Sequence, residues 1–162
     1  MILCNETYPA IMGAVPQLGN ALVDTADAIR LTNAKGCLIT ILNYDGGATS
    51  PVFTVHEGAS AALATAGATP LAVAWPIWLN LDIATNDTMV RQAADVITYT
   101  LTCTASTDSM IVQFYIDAAT LTSGREWIQL GSTAGDVASY ISVLYQLDGA
   151  RYQQETPPTA IV

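Results

Sequence analysis

The chain has 162 residues, about the size of one domain, and is long enough to bury a core without disulfide or metal staples. Apolar residues make up 51% and charged residues only 12%, and 14 acidic side chains against Lys35, Arg30, Arg91, Arg125 and Arg151 leave a formal charge of −9. So few cations, scattered with no basic run, argue against nucleic acid and against an anionic membrane surface, while so little surface charge implies that much of the exterior meets protein.

Residues 1–20 mix Pro9, Pro16, Gly13 and Gly19 with scattered apolar side chains in neither helical nor strand period, which predicts an extended N-terminal arm able to lie on a neighbour. The opening Met1-Ile2-Leu3-Cys4-Asn5-Glu6 has no basic segment and no sustained apolar run, so no signal peptide is read there. Residues 21–31 fit a strand through Val23, Thr25, Ile29 and Leu31, and a helix through Leu22, Ala26 and Ile29; the strand is preferred. Residues 37–44 are rich in β-branched side chains and apolar on both faces, the pattern of an inner strand. Asp45-Gly46-Gly47 and the residues to Pro51 supply turn chemistry, and 52–57 follow with Phe53 and Val55 on one face, so these two runs predict a hairpin.

Residues 58–81 carry no charge and are long enough to cross a bilayer, but Pro70, Pro76, Gly58 and Gly67 interrupt them and their second half alternates. The reading is a long surface loop over 58–70 with one helical turn at 59–64, then a strand over 71–81. In that strand Leu71, Val73, Trp75, Ile77, Leu79 and Leu81 share one face. Pro76 cannot donate to a ladder, so the strand lies at a sheet edge or bulges there, and Trp78 faces outward as a docking point for another chain.

A turn cluster at Asp82, Thr85, Asn86 and Asp87 leads into 89–94. Residues 96–103 oppose Ile97, Tyr99, Leu101 and Cys103 to a row of threonines. After a turn at 104–108, residues 109–117 return with Val112, Phe114 and Ile116 aligned, predicting a second hairpin. Asp117 is placed to cap a short turn at 118–120. Strands are read at 126–130 and, after a polar loop at 131–136, at 140–147 with Ile141, Val143, Tyr145 and Leu147 aligned. The tail 151–162 is held extended by Pro157-Pro158. Short strands at regular intervals predict an all-β sandwich or jelly-roll domain over 21–150, with arms at 1–20 and 151–162.

Chemistry has few places to sit. His56 is the single histidine and no motif supplies it with a nucleophile or an orienting group. Cys4, Cys37 and Cys103 are far apart and odd in number, which disfavours a disulfide framework or zinc and favours buried thiols in a reducing compartment. Asp82 with Asp87, and Asp24 with Asp27, lack the alternating ligands of a calcium loop. Gly46-Gly47 lacks the lysine and helix of a phosphate loop. Trp75, Trp78 and Trp127, with Tyr99, Tyr115, Tyr140, Tyr145 and Tyr152, could line a glycan-binding face, but Trp75 and Trp78 lie on opposite faces of one strand.

Four strings, Ala74-Trp75-Pro76-Ile77-Trp78, Met89-Val90-Arg91-Gln92, Val112-Gln113-Phe114-Tyr115-Ile116-Asp117-Ala118-Ala119-Thr120-Leu121 and Leu147-Asp148-Gly149-Ala150-Arg151-Tyr152, carry a resemblance over residues 70–160. This stretch resembles the small β-sandwich proteins encoded among the head genes of tailed bacteriophages, of the capsid-decoration or cement type. The resemblance implies a non-enzymatic virion protein, made in the host cytoplasm and seated on the outer capsid surface. There it would bind the major capsid protein, often as a homotrimer, and stabilise the shell without a cofactor. The contacts expected are Trp78 and Pro76 at the strand edge, Tyr8 and Pro9 in the N-terminal arm, and Arg151, Tyr152, Pro157 and Pro158 in the tail. The alternatives are a tail or head-fibre module binding a cell-surface glycan, and a jelly-roll hydrolase using His56 and nearby carboxylates.

Overall fold

The computed structural model describes residues 9–65 and 69–149. Among the described residues ten strands form two antiparallel sheets, an all-β sandwich-like domain. The larger sheet has the order β1 (Ala10–Leu18), β10 (Tyr140–Asp148), β3 (Gly36–Tyr44), β8 (Ser109–Asp117), β5 (Ile77–Asn80) and β6 (Val90–Arg91). The smaller has the order β2 (Ile29–Arg30), β9 (Trp127–Ser132), β4 (Val52–Gly58) and β7 (Thr98–Thr100). A short helix α1 (Ala61–Thr65) and two 3-10 turns, Gly19–Ala21 and Ala118–Thr120, connect them.

The period-two alternation of β3, β8 and β10 sends every second side chain inward. Ile39, Ile41, Val112, Phe114, Ile116, Val143 and Tyr145 meet Phe53, Val55, Ile128 and Leu130 of the smaller sheet in one core. At fully buried side chains each residue contributes on the order of 1.5–3 kcal/mol by leaving water. Tyr145 ties the two layers directly: its hydroxyl receives the Leu130 N–H at 3.0 Å across the core. Its ring needs Gly13, because a Cβ there would lie 2.5 Å from the ring.

The strand over 109–117, the strand over 140–147 and the Asp117 cap, whose carboxylate accepts Ala119 N–H at 2.8 Å, are found as expected. The helical turn is also found, at 61–65. Other expectations are corrected. The N-terminal arm is displaced by a strand: residues 10–18 are β1, paired along β10 through two register shifts, so the sandwich begins before residue 21. Within 21–31 only Ile29–Arg30 join a ladder. Neither hairpin exists. β3 and β8 belong to the larger sheet and β4 and β7 to the smaller, so residues 45–51 and 101–108 are arches from one layer to the other.

Asp45, wholly buried, holds the two arches together. Its carboxylate accepts Thr104 N–H at 2.8 Å and the Ser106 hydroxyl at 3.1 Å, while its backbone N–H and C=O engage Asp108 and Thr107. That clamp offsets the left-handed backbone of Ala105 (φ 58) and Thr107 (φ 63), which costs more for a branched residue.

The strand expected over 71–81 is also shorter, with only Ile77–Asn80 in the ladder. Upstream, Pro70 and Trp75 make single bridges to His56 and Val96. Leu71, Trp75, Ile77 and Leu79 are buried, whereas Val73 and Leu81 are each 44% exposed because the chain is irregular there. Ile97, expected inside, is exposed as well.

Candidate functional site

The expected contact residues scatter. Tyr8, Arg151, Tyr152, Pro157 and Pro158 lie outside the described residues. Pro9 is buried and its carbonyl accepts Leu147 N–H at 3.0 Å, so it belongs to the sandwich and is no free docking group. Pro76 precedes β5 without entering the ladder. β5 is not the sheet edge, since β6 pairs beyond it, and Arg91 of β6 lies over the Trp78 ring at 5.9 Å from its centroid. Trp78 does face outward, on the side of the larger sheet away from the core.

That outer side is the candidate site. One row runs across the sheet through Trp78, Gln113, Thr40, Leu144 and Met12 in continuous register. The next row places Ile111 beside Leu42 and Ser142, and the last places Ser109, Tyr44 and Tyr140 side by side. Leu42 is 46%, Tyr140 55% and Met12 44% exposed, and the Tyr44 and Tyr140 rings stand 6.5 Å apart. The polar groups within the plane satisfy one another: Gln113 donates to the Thr40 hydroxyl at 3.1 Å, and Tyr115 donates to Asp148 at 3.0 Å. Outward positions of β3, β8 and β10 carry only two charges, Asp117 and Asp148, and both lie in one end row with Gly36. The face is thus nearly uncharged, with exposed leucine, methionine and tyrosine side chains set among neutral polar ones, a mixture suited to contact with protein. Its sequence signal was the apolar residues on both sides of 37–44, which read as an inner strand because alternation cannot distinguish burial by a sheet from burial by a partner.

His56 on β4 is buried, with Nδ1 lacking a partner, and packs beside Asp24 over Gly131, where a Cβ would lie 2.8 Å from Nδ1 and 2.9 Å from the Asp24 carboxylate. Both described thiols are buried. Burial drives the Cys37 thiol far above its ordinary range, and burial with the nearby Asp45 charge pushes the Cys103 thiol up to about 11, so neither is a thiolate near neutral pH. The Asp82 carboxylate accepts the Thr85 hydroxyl and the Ala84 and Thr85 N–H groups and so organises its turn, whereas the Asp24 carboxylate accepts Ser132 N–H and ties its loop to the end of β9. Among the described residues no three His, Cys, Asp or Glu side chains converge on a metal position. Glu57 is buried and paired with Arg125 at 3.6 Å, beside a surface depression of about 290 Å³. Trp75 is buried and stacked on Phe114 at 4.3 Å, so the tryptophans form no common platform.

Comparison with known proteins adds no relative: no family model, no curated protein and no solved structure matches the chain.

Proposed function

We propose that this protein is a non-enzymatic structural component of a tailed-phage virion, decorating and stabilising the capsid as a homo-oligomer bound to the major capsid protein. The observation that carries the reading is the broad, nearly uncharged outer face of the six-stranded sheet on a chain with so few charged residues. A protein that works by contact needs apolar area and satisfied polar groups, and no reacting centre. The outward Trp78 with Arg91 over it lies at one margin of that face, where an aromatic and arginine pair suits a protein partner.

The test is addition of the purified chain to shells of its cognate major capsid protein prepared without it. Co-sedimentation at a fixed ratio, with a raised temperature of shell disruption, is the expected result. A chain that stays in the supernatant at every concentration overturns the reading, and binding to a glycan array that Trp78→Ala abolishes would move the function to the fibre alternative.

A further inference from the structure

We infer that two copies of this chain pack face to face through the outer side of the six-stranded sheet, related by a two-fold axis. The pairing gives this face to the homo-oligomer contact of that reading, and it holds whether or not the chain binds a shell. Three strands of nine residues, β3, β8 and β10, flanked by β1 and β5, make the face. At about 4.8 Å between strands and about 3.4 Å per residue, with β5 only 4 residues long, it covers roughly 650 Å². That is close to the roughly 800 Å² that each partner contributes to a stable interface.

Charge selects the occupant. Two chains of −9 repel wherever carboxylates line the contact, and the centre of this face has none. The face is also polarised, with Asp117 and Asp148 at one end and the Tyr44 and Tyr140 hydroxyls at the other. An axis lying in the interface and crossing the strands near Thr40 reverses one copy end for end. The carboxylates of each copy then lie over the phenols of its partner, which can donate to them, and the two acidic ends are kept apart. Leu42 and Leu38, on either side of the Thr40 row, meet across the axis.

The full chain should sediment at twice its 17.0 kDa mass. Leu42→Glu should weaken association at least about tenfold, while the thermal midpoint measured at a concentration low enough to keep copies apart holds. Met12→Glu, a second exposed position on the same face, should act in the same direction. Val23→Glu, exposed in the turn beside the smaller sheet, should leave association unchanged. A monomer at about 100 µM overturns the pairing, as does an oligomer indifferent to Leu42→Glu or a trimer of any sensitivity. Pairing that emerges only when residues 150–162 are removed also overturns it, and assigns the face to the chain's own end. Shell binding by a monomer would sink the pairing alone, whereas a dimer that ignores shells would sink the capsid reading alone.

Discussion

The two faces of β3 are made of similar residues and meet different surroundings. Ile39 and Ile41 point into the core against the smaller sheet and are fully buried, while Leu38, one register step away, is half-buried and Leu42 is exposed over nearly half its surface on the outer side. The same contrast runs through β8, where Val112 and Phe114 lie inside and Ile111 outside, and through β10, where Tyr145 lies inside and Leu144 outside. One face is satisfied within the chain, and the other leaves leucines and tyrosines among neutral polar groups in contact with solvent. On the proposed pairing the inner face sets stability and the outer face sets association, and substitutions can separate the two.

The largest effect is expected at Phe114→Ala. Phe114 is fully buried on β8, is paired in register with Ile77 and Ile39, and stacks on Trp75, so its loss opens a cavity between both layers and the irregular 71–75 segment. Urea unfolding should show a loss of about 3–5 kcal/mol. Tyr145→Phe comes next and is more specific. It keeps the ring and its seat on Gly13 but strands the buried Leu130 N–H, for a cost of about 1–3 kcal/mol.

Asp45→Asn sharpens the comparison at the sandwich rim. Burial alone would push the Asp45 carboxyl up, but donors from Thr104, Ser106 and Ala105 together hold it below the usual carboxylate range. A carboxyl depressed in the folded state contributes fully above its unfolded pKa of about 3.9, and the contribution is lost as pH falls through the lower folded value. The variant should lose about 1–2 kcal/mol at pH 7, and its stability should fall less steeply than that of the wild type below about pH 4. An unchanged acid limb in urea titrations would show that Asp45 does not carry the arch contacts.

Much of the sandwich was legible in period-two alternation, above all 109–117 and 140–147, where one buried face is continuous and the strands pair over their whole length. The two arches were not, because Asp45-Gly46-Gly47 suits a hairpin turn and an arch equally. What distinguishes them is the clamp from Asp45 to Thr104 and Ser106, about sixty residues away. β1 escaped for another reason: register shifts between Met12 and Ala14 and between Ala14 and Gln17 break the alternation, so a paired strand carries the pattern of an arm. The candidate face was visible in 37–44 as apolar residues on both sides, but its extent depends on cross-strand register, which joins Trp78 to Met12 across the whole sheet.

The smallest expected change in stability is at Leu42→Ser, and it is the most informative about the two faces. Leu42 already meets solvent over nearly half its surface, with 46% exposed, so shortening it leaves no cavity and should shift unfolding by less than about 0.5 kcal/mol. Its neighbour Ile41, wholly buried one residue earlier, should lose about 2–5 kcal/mol as Ile41→Ala. Urea titrations at a protein concentration low enough to keep copies apart would compare the two directly. A large loss at Leu42→Ser in such dilute samples would mean that the outer face is already packed by part of the same chain. A small loss that grows with protein concentration would place the missing contact on a second copy, because only association makes a surface leucine's contribution depend on concentration.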